Sequence, residues 1–178
     1  RITKESTRVR GAPASAKAQA PSRVQNLGSR SIKMPDGDVQ SLECTPQGEY
    51  DLIVTFSQPK RCDLGLILCY KGHTFVWRLS GLSRNTAGFE LVDGKRYFEN
   101  PTNRPAVLRA NETGRVEIRV RRDSLEVFFK YHTLGRINIE YSRMSMPPDH
   151  LGFGECKGRL GVFANGPTEF ESIQVEEK

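Results

Sequence analysis

The most informative absences in this 178-residue sequence concern membranes, metals and redox motifs. No run of about 18 consecutive apolar residues occurs, so no segment has the pattern of a membrane-spanning helix. No two cysteines have the Cys-x-x-Cys spacing, which excludes a zinc ribbon and a thioredoxin-type motif. The sequence has neither an initiator Met nor a signal-peptide pattern at Arg1, and we expect it to be part of a larger chain.

The four cysteines permit more than one interpretation. Cys69 lies in the apolar run LGLILCY, where a buried thiol behaves as a small hydrophobic group. A disulfide between Cys62 and Cys156 is an alternative that spacing alone does not decide. We expect four free, mostly buried thiols, the remaining one being Cys44.

The net charge of +6 is concentrated at one end of the chain. Residues 1–33 contain eight Lys or Arg and one acid, whereas residues 34–178 contain 19 basic and 20 acidic residues. A nucleic-acid-binding body would need a basic face, so nucleic acid is an unlikely partner for residues 34–178. The basic segment retains the charge to contact nucleic acid or an acidic protein, although a solvated linker is the simpler interpretation.

Residues 1–33 also differ from the rest in composition. They are rich in Ala, Ser and Pro, contain no aromatic residue and show no sustained apolar period. Such a segment buries too little apolar surface to offset its ordering entropy. We therefore predict a basic linker or arm over residues 1–33 and one folded domain over residues 34–178.

The folded part shows strand patterns throughout and no convincing helix. In GEYDLIVTF, apolar residues alternate with others, as in a strand with one face inward. LGLILCY is apolar throughout, and in HTFVWRLSG the only tryptophan, Trp77, shares a face with other core-type residues. About ten such segments, separated by turns, predict an all-β fold: an antiparallel two-sheet β-sandwich of the jelly-roll type.

The clearest pair of strands is the hairpin GRVEIRVRRDSLEVFFK. Val116, Ile118 and Val120 share one face, and the opposite face carries arginines and glutamates able to pair across strands. The arginines of that face are suited to binding an anionic polymer. The interleaved Glu117 and Glu126 instead favour a solvated surface whose charges pair with one another. In the last strand, Phe170 and Ile173 break strict alternation and predict a bulge.

The last two strands, GRLGVFANGPTEFESIQVEE, resemble the closing hairpin of concanavalin A-like jelly rolls, the lectin/glucanase and laminin-G-like superfamily. The middle segment, from GLILCYKGHTFVWRLSG to GRVEIRVRRDSLEVFFK, resembles β-sandwich domains of large planctomycete proteins. The 3-keto-disaccharide hydrolase domains are more distant relatives. The resemblance covers residues 38–176 and implies the fold, with lectins, hydrolases and adhesion modules as candidate functions. An extracytoplasmic or cell-envelope location is the accompanying expectation.

Motifs for catalysis are weak. The glucanases of this superfamily place their paired carboxylates on one strand as E-x-D-x-x-E, and the sequence lacks this string. Glu117 shares its strand face only with arginines. No nucleophile elbow or metal-ligand spacing occurs. We expect a non-catalytic module, with a carbohydrate-active hydrolase as the second alternative.

The stretch FELVDGKRYFENPTNRP is the strongest candidate binding loop. Sugar rings pack on aromatic planes, and their hydroxyl groups bond to amides and guanidiniums, both of which the loop supplies. The candidate ligand-binding residues are Lys95, Tyr97, Phe98, Asn100, Asn103 and Arg104. In the alternative interpretation, Tyr97 and Phe98 fold back onto the core. Asp93 and Asn100 are candidate calcium ligands, and no other cofactor is indicated.

These observations predict a recognition module of a larger protein. Carbohydrate is the expected ligand, bound by loops at one end or by the concave face of the sandwich. The alternative is a structural or protein-interaction domain that docks onto a neighbouring domain.

Overall fold

The computed structural model describes residues 23–27, 31–80, 84–148 and 153–178. Within these ranges the chain forms sixteen strands and two short 3-10 turns, Tyr141–Arg143 and Phe153–Cys156, and no α-helix. None of these described segments is a helix long and apolar enough to cross a membrane. The strands are β1 (Arg23–Asn26), β2 (Ile32–Met34), β3 (Asp38–Ser41), β4 (Tyr50–Ser57), β5 (Leu64–Tyr70), β6 (His73–Ser80), β7 (Thr86–Phe89), β8 (Leu91–Val92), β9 (Lys95–Arg96), β10 (Arg104–Pro105), β11 (Thr113–Val120), β12 (Ser124–Phe129), β13 (His132–Asn138), β14 (Met144–Ser145), β15 (Gly161–Ala164) and β16 (Thr168–Glu177).

Two antiparallel sheets form the sandwich, which confirms the predicted all-β fold. The seven-stranded sheet has the order β1-β16-β4-β11-β12-β13, with β2 also paired to β16. The six-stranded sheet has the order β10-β7-β6-β5-β15-β3. A small third sheet, β14-β8-β9, lies beside them. Five of the sixteen strands lie outside the predicted strand segments, and each is only two to four residues long: β1, β2, β9, β10 and β14.

The core lies where the inner faces of the two sheets meet. Val116, Ile118 and Val120 are fully buried there, as their alternation predicts. Trp77 is 1% exposed and belongs to the same cluster, which confirms its predicted core position. Burial of such side chains contributes about 1.5–3 kcal/mol each.

Two local predictions are confirmed by the strand register. β11 and β12 form the expected hairpin, with Arg119 directly opposite Glu126. The register of β16 against β4 shifts between Phe170 and Ser172, which is the predicted bulge. The extra residue returns Ile173 to the inner face, where it is fully buried.

The pattern of AGFELVDG predicts a single short strand closed by a turn at Asp93-Gly94. In the structure this segment is not one strand. It divides at Glu90, so that β7 pairs in the six-stranded sheet and β8 in the small sheet. The predicted turn after it is confirmed, because Asp93 and Gly94 both have positive φ, 53° and 74°. This change of sheet carries the following loop across the outer face of the sandwich.

All four cysteines are free and buried, as expected. Burial raises the pKa of each thiol, and it raises the pKa of Cys69 to about 12. The alternative disulfide between Cys62 and Cys156 is not formed.

The predicted arm falls largely on residues 1–22 and 28–30, which lie outside the described residues. Within it, β1 pairs with residues 174–177 of β16 and β2 pairs with residues 168–170 of the same strand. The boundary between arm and domain stays a prediction.

The outer faces of the two large sheets differ. On the six-stranded sheet, Ile67, Val76 and Phe163 point away from the main core yet are at most 3% exposed, because Phe153 and Cys156 pack over them. On the seven-stranded sheet, outward side chains reach solvent. We call this second surface the open face and define it by Ile53 and Thr55 of β4, Arg115, Glu117 and Arg119 of β11, Glu126 and Phe128 of β12, and Tyr131 beside them.

Candidate functional site

The predicted binding loop packs onto the outer face of the six-stranded sheet. Tyr97 is only 5% exposed, and its ring centroid lies 5.2 Å from the guanidinium carbon of Arg78. The loop approaches the sheet so closely that a Cβ added at Gly88 would lie 3.1 Å from the carbonyl oxygen of Tyr97. Phe98 is 36% exposed, contacts Tyr97 edge-on and has the guanidinium of Arg84 stacked 4.0 Å from its centroid.

Asn100 holds this loop together from inside. It is 3% exposed, and its side-chain amide donates to the carbonyls of Phe89 at 2.8 Å and Lys95 at 3.1 Å. Its oxygen accepts from the backbone N–H of Thr102 at 3.0 Å and from the Thr102 hydroxyl at 2.6 Å. Tyr97 therefore packs inward as in the alternative interpretation, whereas Phe98 stays partly exposed. Asn100 uses its side chain to stabilise the loop.

The other loop candidates remain nearer the surface. Arg104 donates to the carbonyls of Pro101 at 2.9 Å and Asn103 at 2.6 Å, so its guanidinium stabilises its own loop. Lys95 is exposed beside the turn, and Asn103 is half-buried. A ligand approaching this loop would meet Lys95, Phe98 and part of Asn103 and Arg104.

The two candidate calcium ligands are engaged with protein partners. Both carboxylate oxygens of Asp93 accept from Arg143, and this hydrogen bonding lowers the pKa of Asp93. The Asn100 oxygen already accepts from Thr102. In the part of the chain that the structure describes, no three His, Cys, Asp or Glu side chains gather as a metal-binding group. The calcium site stays an expectation from the resemblance.

A buried charge cluster lies beneath the loop. Arg78 donates to Asp63 at 2.8 Å and to Glu90 at 3.2 Å, and Arg96 donates to Glu90 at 2.9 Å. The Glu90 side chain is 1% exposed and that of Asp63 is 9% exposed. Two carboxylates that share one arginine under a covering loop are neutralised and shielded from substrate, which suits a structural role for this pair.

The open face carries a continuous row of paired charges along β11. Alternate residues of a strand share one face, so Arg115, Glu117 and Arg119 project together. Arg115 donates to one oxygen of Glu117 at 3.0 Å and Arg119 donates to the other at 2.9 Å. Arg119 also lies 3.6 Å from Glu126 across the strand pair. The hydrogen bond to Glu117 raises the pKa of Arg119, and the predicted self-pairing of this surface is confirmed.

Two aromatic rings accompany this charge row. The guanidinium of Arg119 lies 4.5 Å from the centroid of Phe128, and that of Arg115 lies 4.7 Å from the centroid of Tyr131. Tyr131 nevertheless remains 77% exposed, more than any other large hydrophobic residue in the described ranges. An open cavity of about 440 Å³ adjoins its ring and is lined by Thr55, Glu112, Thr113, Arg115, Lys130 and Tyr131.

The backbone at Tyr131 is unfavourable for such a large residue. Lys130 and Tyr131 form the two-residue turn between β12 and β13 and have φ of 49° and 67°. Turns of this type favour Asn-Gly or Asp-Gly, and the left-handed conformation costs a non-glycine residue about 1–2 kcal/mol. Residues kept in such conformations cluster at functional sites. The exposed aromatic ring, which contributes nothing to the core and is held at this conformational cost, makes Tyr131 a candidate for contact with a ligand.

Sequence reasoning identified the charged strand but not Tyr131. The available signal was FKYH, in which an aromatic residue occupies a two-residue hairpin tip where glycine or asparagine is usual. Phe129 pairs with His132, and this pairing makes Lys130 and Tyr131 the two residues of the turn. The sequence alone does not show which residues pair.

Solved structures share this β-sandwich at low sequence identity. A fructosyltransferase from A. japonicus has a TM-score of 0.60 and 11% identity over 88% of this chain and 26% of its own. An Aspergillus kawachii beta-fructofuranosidase has a TM-score of 0.53 and 16% identity over 85% of this chain and 28% of its own. A tetrameric galectin from Cinachyrella sp. has a TM-score of 0.52 and 13% identity over 76% of this chain and 97% of its own.

These likenesses confirm the β-sandwich fold. The chain spans about a quarter of the length of the first two proteins, so it corresponds to one part of each. No protein family and no curated relative matches the sequence. The finer resemblance to planctomycete and laminin-G-like domains stays a prediction.

Proposed function

We propose that this domain is a non-catalytic carbohydrate-recognition module that binds glycan on its open face. The observation that carries the proposal is Tyr131, whose ring is 77% exposed on a left-handed turn beside the Arg115–Glu117–Arg119 row. Neither core packing nor turn geometry accounts for an aromatic residue at that position. The ring contacts the guanidinium of Arg115, and at 77% exposure most of the side chain remains available for a ligand to stack on.

The chemistry of the surrounding side chains suits a sugar. The C–H face of a pyranose or furanose ring packs on an aromatic plane, and its hydroxyl groups both donate and accept hydrogen bonds. Beside Tyr131, Arg115 supplies donors, Glu117 supplies acceptors and Thr55 supplies a hydroxyl that can do either. The cavity next to the ring offers space for such a contact.

The fold supports the same proposal at a coarser level. The Cinachyrella protein, whose name places it among the galectins, is matched over almost its whole length by this chain. A β-sandwich with one covered and one open sheet provides a rigid surface, so little entropy is lost when a ligand binds to it. The loop at Lys95–Arg104 is the rival location, with Phe98 as its exposed ring.

A titration of isotope-labelled protein with a panel of neutral and acidic oligosaccharides, followed by NMR, tests this function. We expect saturable chemical-shift changes centred on Thr55, Arg115 and Tyr131. The variant Tyr131→Ala should bind about tenfold more weakly, whereas Phe98→Ala, which removes the exposed ring of the loop, should bind as the parent does.

The opposite result for the two variants would place the site on the loop and refute the open face. If no oligosaccharide shifts any resonance at millimolar concentration, the carbohydrate function is wrong. The protein-interaction alternative would then be favoured.

A further inference from the structure

We infer that the open face selects neutral oligosaccharides extended along β11 and discriminates against acidic ones. This inference rests on the proposed function, since it names the ligand class of the same surface. Three features of the open face carry it: the balance of its charges, the fixed positions of its guanidiniums and its length.

The charges of the open face are paired within the protein. Arg115 and Arg119 face Glu117 and Glu126, and the charge of Lys130 is met by Glu112, whose carboxylate lies 2.5 Å from its Nζ. A carboxylate or sulfate on a ligand would gain attraction from an arginine and lose as much to the neighbouring glutamate. A neutral hydroxyl group incurs no such repulsion, so the balance favours uncharged sugars.

The pairing also holds the polar groups in place. Each oxygen of Glu117 accepts from a different arginine, at 3.0 Å and 2.9 Å, and each guanidinium is stacked on an aromatic ring. A guanidinium carries five N–H donors, more than these carboxylate contacts use. Donors held in position before the ligand arrives bind hydroxyl groups with a smaller loss of side-chain entropy.

The surface is longer than a single sugar. Arg115 and Arg119 are four residues apart on β11, which corresponds to about 14 Å along an antiparallel strand. At its centre, Glu117 is opposite Ile53 on one neighbouring strand and Phe128 on the other. Apolar groups therefore flank the central carboxylate, and Tyr131 stands at the Arg115 end. Apolar and charged side chains thus alternate along the surface, which suits consecutive sugar rings that each present an apolar C–H face and polar hydroxyl edges.

Isothermal titration with matched ligands tests the inference. Neutral oligosaccharides of increasing length would be compared with uronic-acid oligosaccharides of the same lengths, at low and at high NaCl concentration. We expect the neutral series to bind more tightly as it lengthens, with an affinity that salt changes by less than about twofold, because little net charge is neutralised. We expect the acidic series to bind more weakly.

The variant Glu117→Gln tests the same inference by an expected gain in affinity for acidic oligosaccharides. It keeps the shape of the side chain but removes one negative charge, so the two arginines are no longer balanced. Acidic oligosaccharides should then bind about fivefold more tightly than to the parent, and this gain should fall with salt. Glu155→Gln, on the short turn that covers the other sheet, is the matched control and should leave both series unchanged.

The possible failures are distinguishable. Preferential, salt-sensitive binding of acidic oligosaccharides by the parent would overturn the neutral-ligand inference and leave the carbohydrate function intact. An unchanged affinity of Glu117→Gln for acidic ligands would overturn it too. Absence of binding in both series would refute the carbohydrate function itself.

Discussion

The turn at Tyr131 permits a test that separates its backbone conformation from its ring. Replacing Tyr131 with Ala or with Gly removes the ring and its stacking on Arg115 in both cases, so the two variants differ only in how they tolerate φ of 67°. The left-handed conformation costs Ala about 1–2 kcal/mol, whereas Gly adopts it freely. Glycine loses about 0.5–1 kcal/mol more conformational entropy on folding than Ala.

The difference between the conformational cost for Ala and the entropy loss for Gly sets the expected order of stability. Tyr131→Gly should be more stable than Tyr131→Ala by about 1 kcal/mol, or about 2–4 °C in Tm for a domain of this size. At an ordinary strand position the order is reversed, which makes the sign of the difference diagnostic. Both variants should bind glycan about tenfold more weakly than the parent, a loss of about 1.4 kcal/mol, because both lack the stacking surface.

Urea unfolding followed by the fluorescence of Trp77 measures the stabilities, since this buried indole is the only tryptophan. Greater stability of the Ala variant would refute the left-handed turn. Unchanged glycan affinity in both would refute the stacking role of the ring, whatever the stabilities show.

Three further predictions concern the core, the thiols and pH. Gly65→Ala should lower the free energy of unfolding in urea by about 1–3 kcal/mol, because the added Cβ would lie 2.3 Å from the ring of Phe163. Gly48→Ala is the control and should change urea unfolding little, because no atom lies within 4 Å of the added Cβ. The four thiols should resist iodoacetamide in the native protein at about pH 8, because burial raises the pKa of each thiol. All four should react after denaturation. Rapid labelling of the native protein would contradict their burial. The hydrogen bond from Lys130 lowers the pKa of Glu112 below its unfolded value, so its stabilising contribution is present at neutral pH and lost as pH falls below the ordinary glutamate range; NMR titration should show a higher Glu112 pKa in Lys130→Met than in the parent.

Much of the fold followed from short-range patterns in the sequence. The alternation around Val116, Ile118 and Val120 predicted both a strand and its buried face, because side chains of a strand alternate whatever its partners are. The dipeptide Asp93-Gly94 predicted a turn with positive φ, since few other residues adopt that conformation at low cost. The irregular spacing of Phe170 and Ile173 predicted the bulge for a similarly local reason.

The candidate site was harder to predict because its composition permits opposite structures. The loop containing Tyr97, Phe98 and Asn100 has the residues of a sugar-binding loop and equally those of a capping loop. Its burial depends on Arg78 and Gly88, which come from neighbouring strands and meet the loop only in the folded sheet. Tyr131 is the reverse case, an aromatic residue that the sequence analysis did not single out and that lies in solvent.

The sequence alone therefore determined where the longer strands lie, which of their residues face inward and where several turns fall, because each of these depends on neighbours within a few positions. Only the tertiary structure decided which outer face is covered and which stays open, since that depends on distant segments crossing one sheet and not the other. The proposed site belongs to the second category, because the charges on β11 and the ring of Tyr131 form one surface only after β4, β11 and β12 have paired in register.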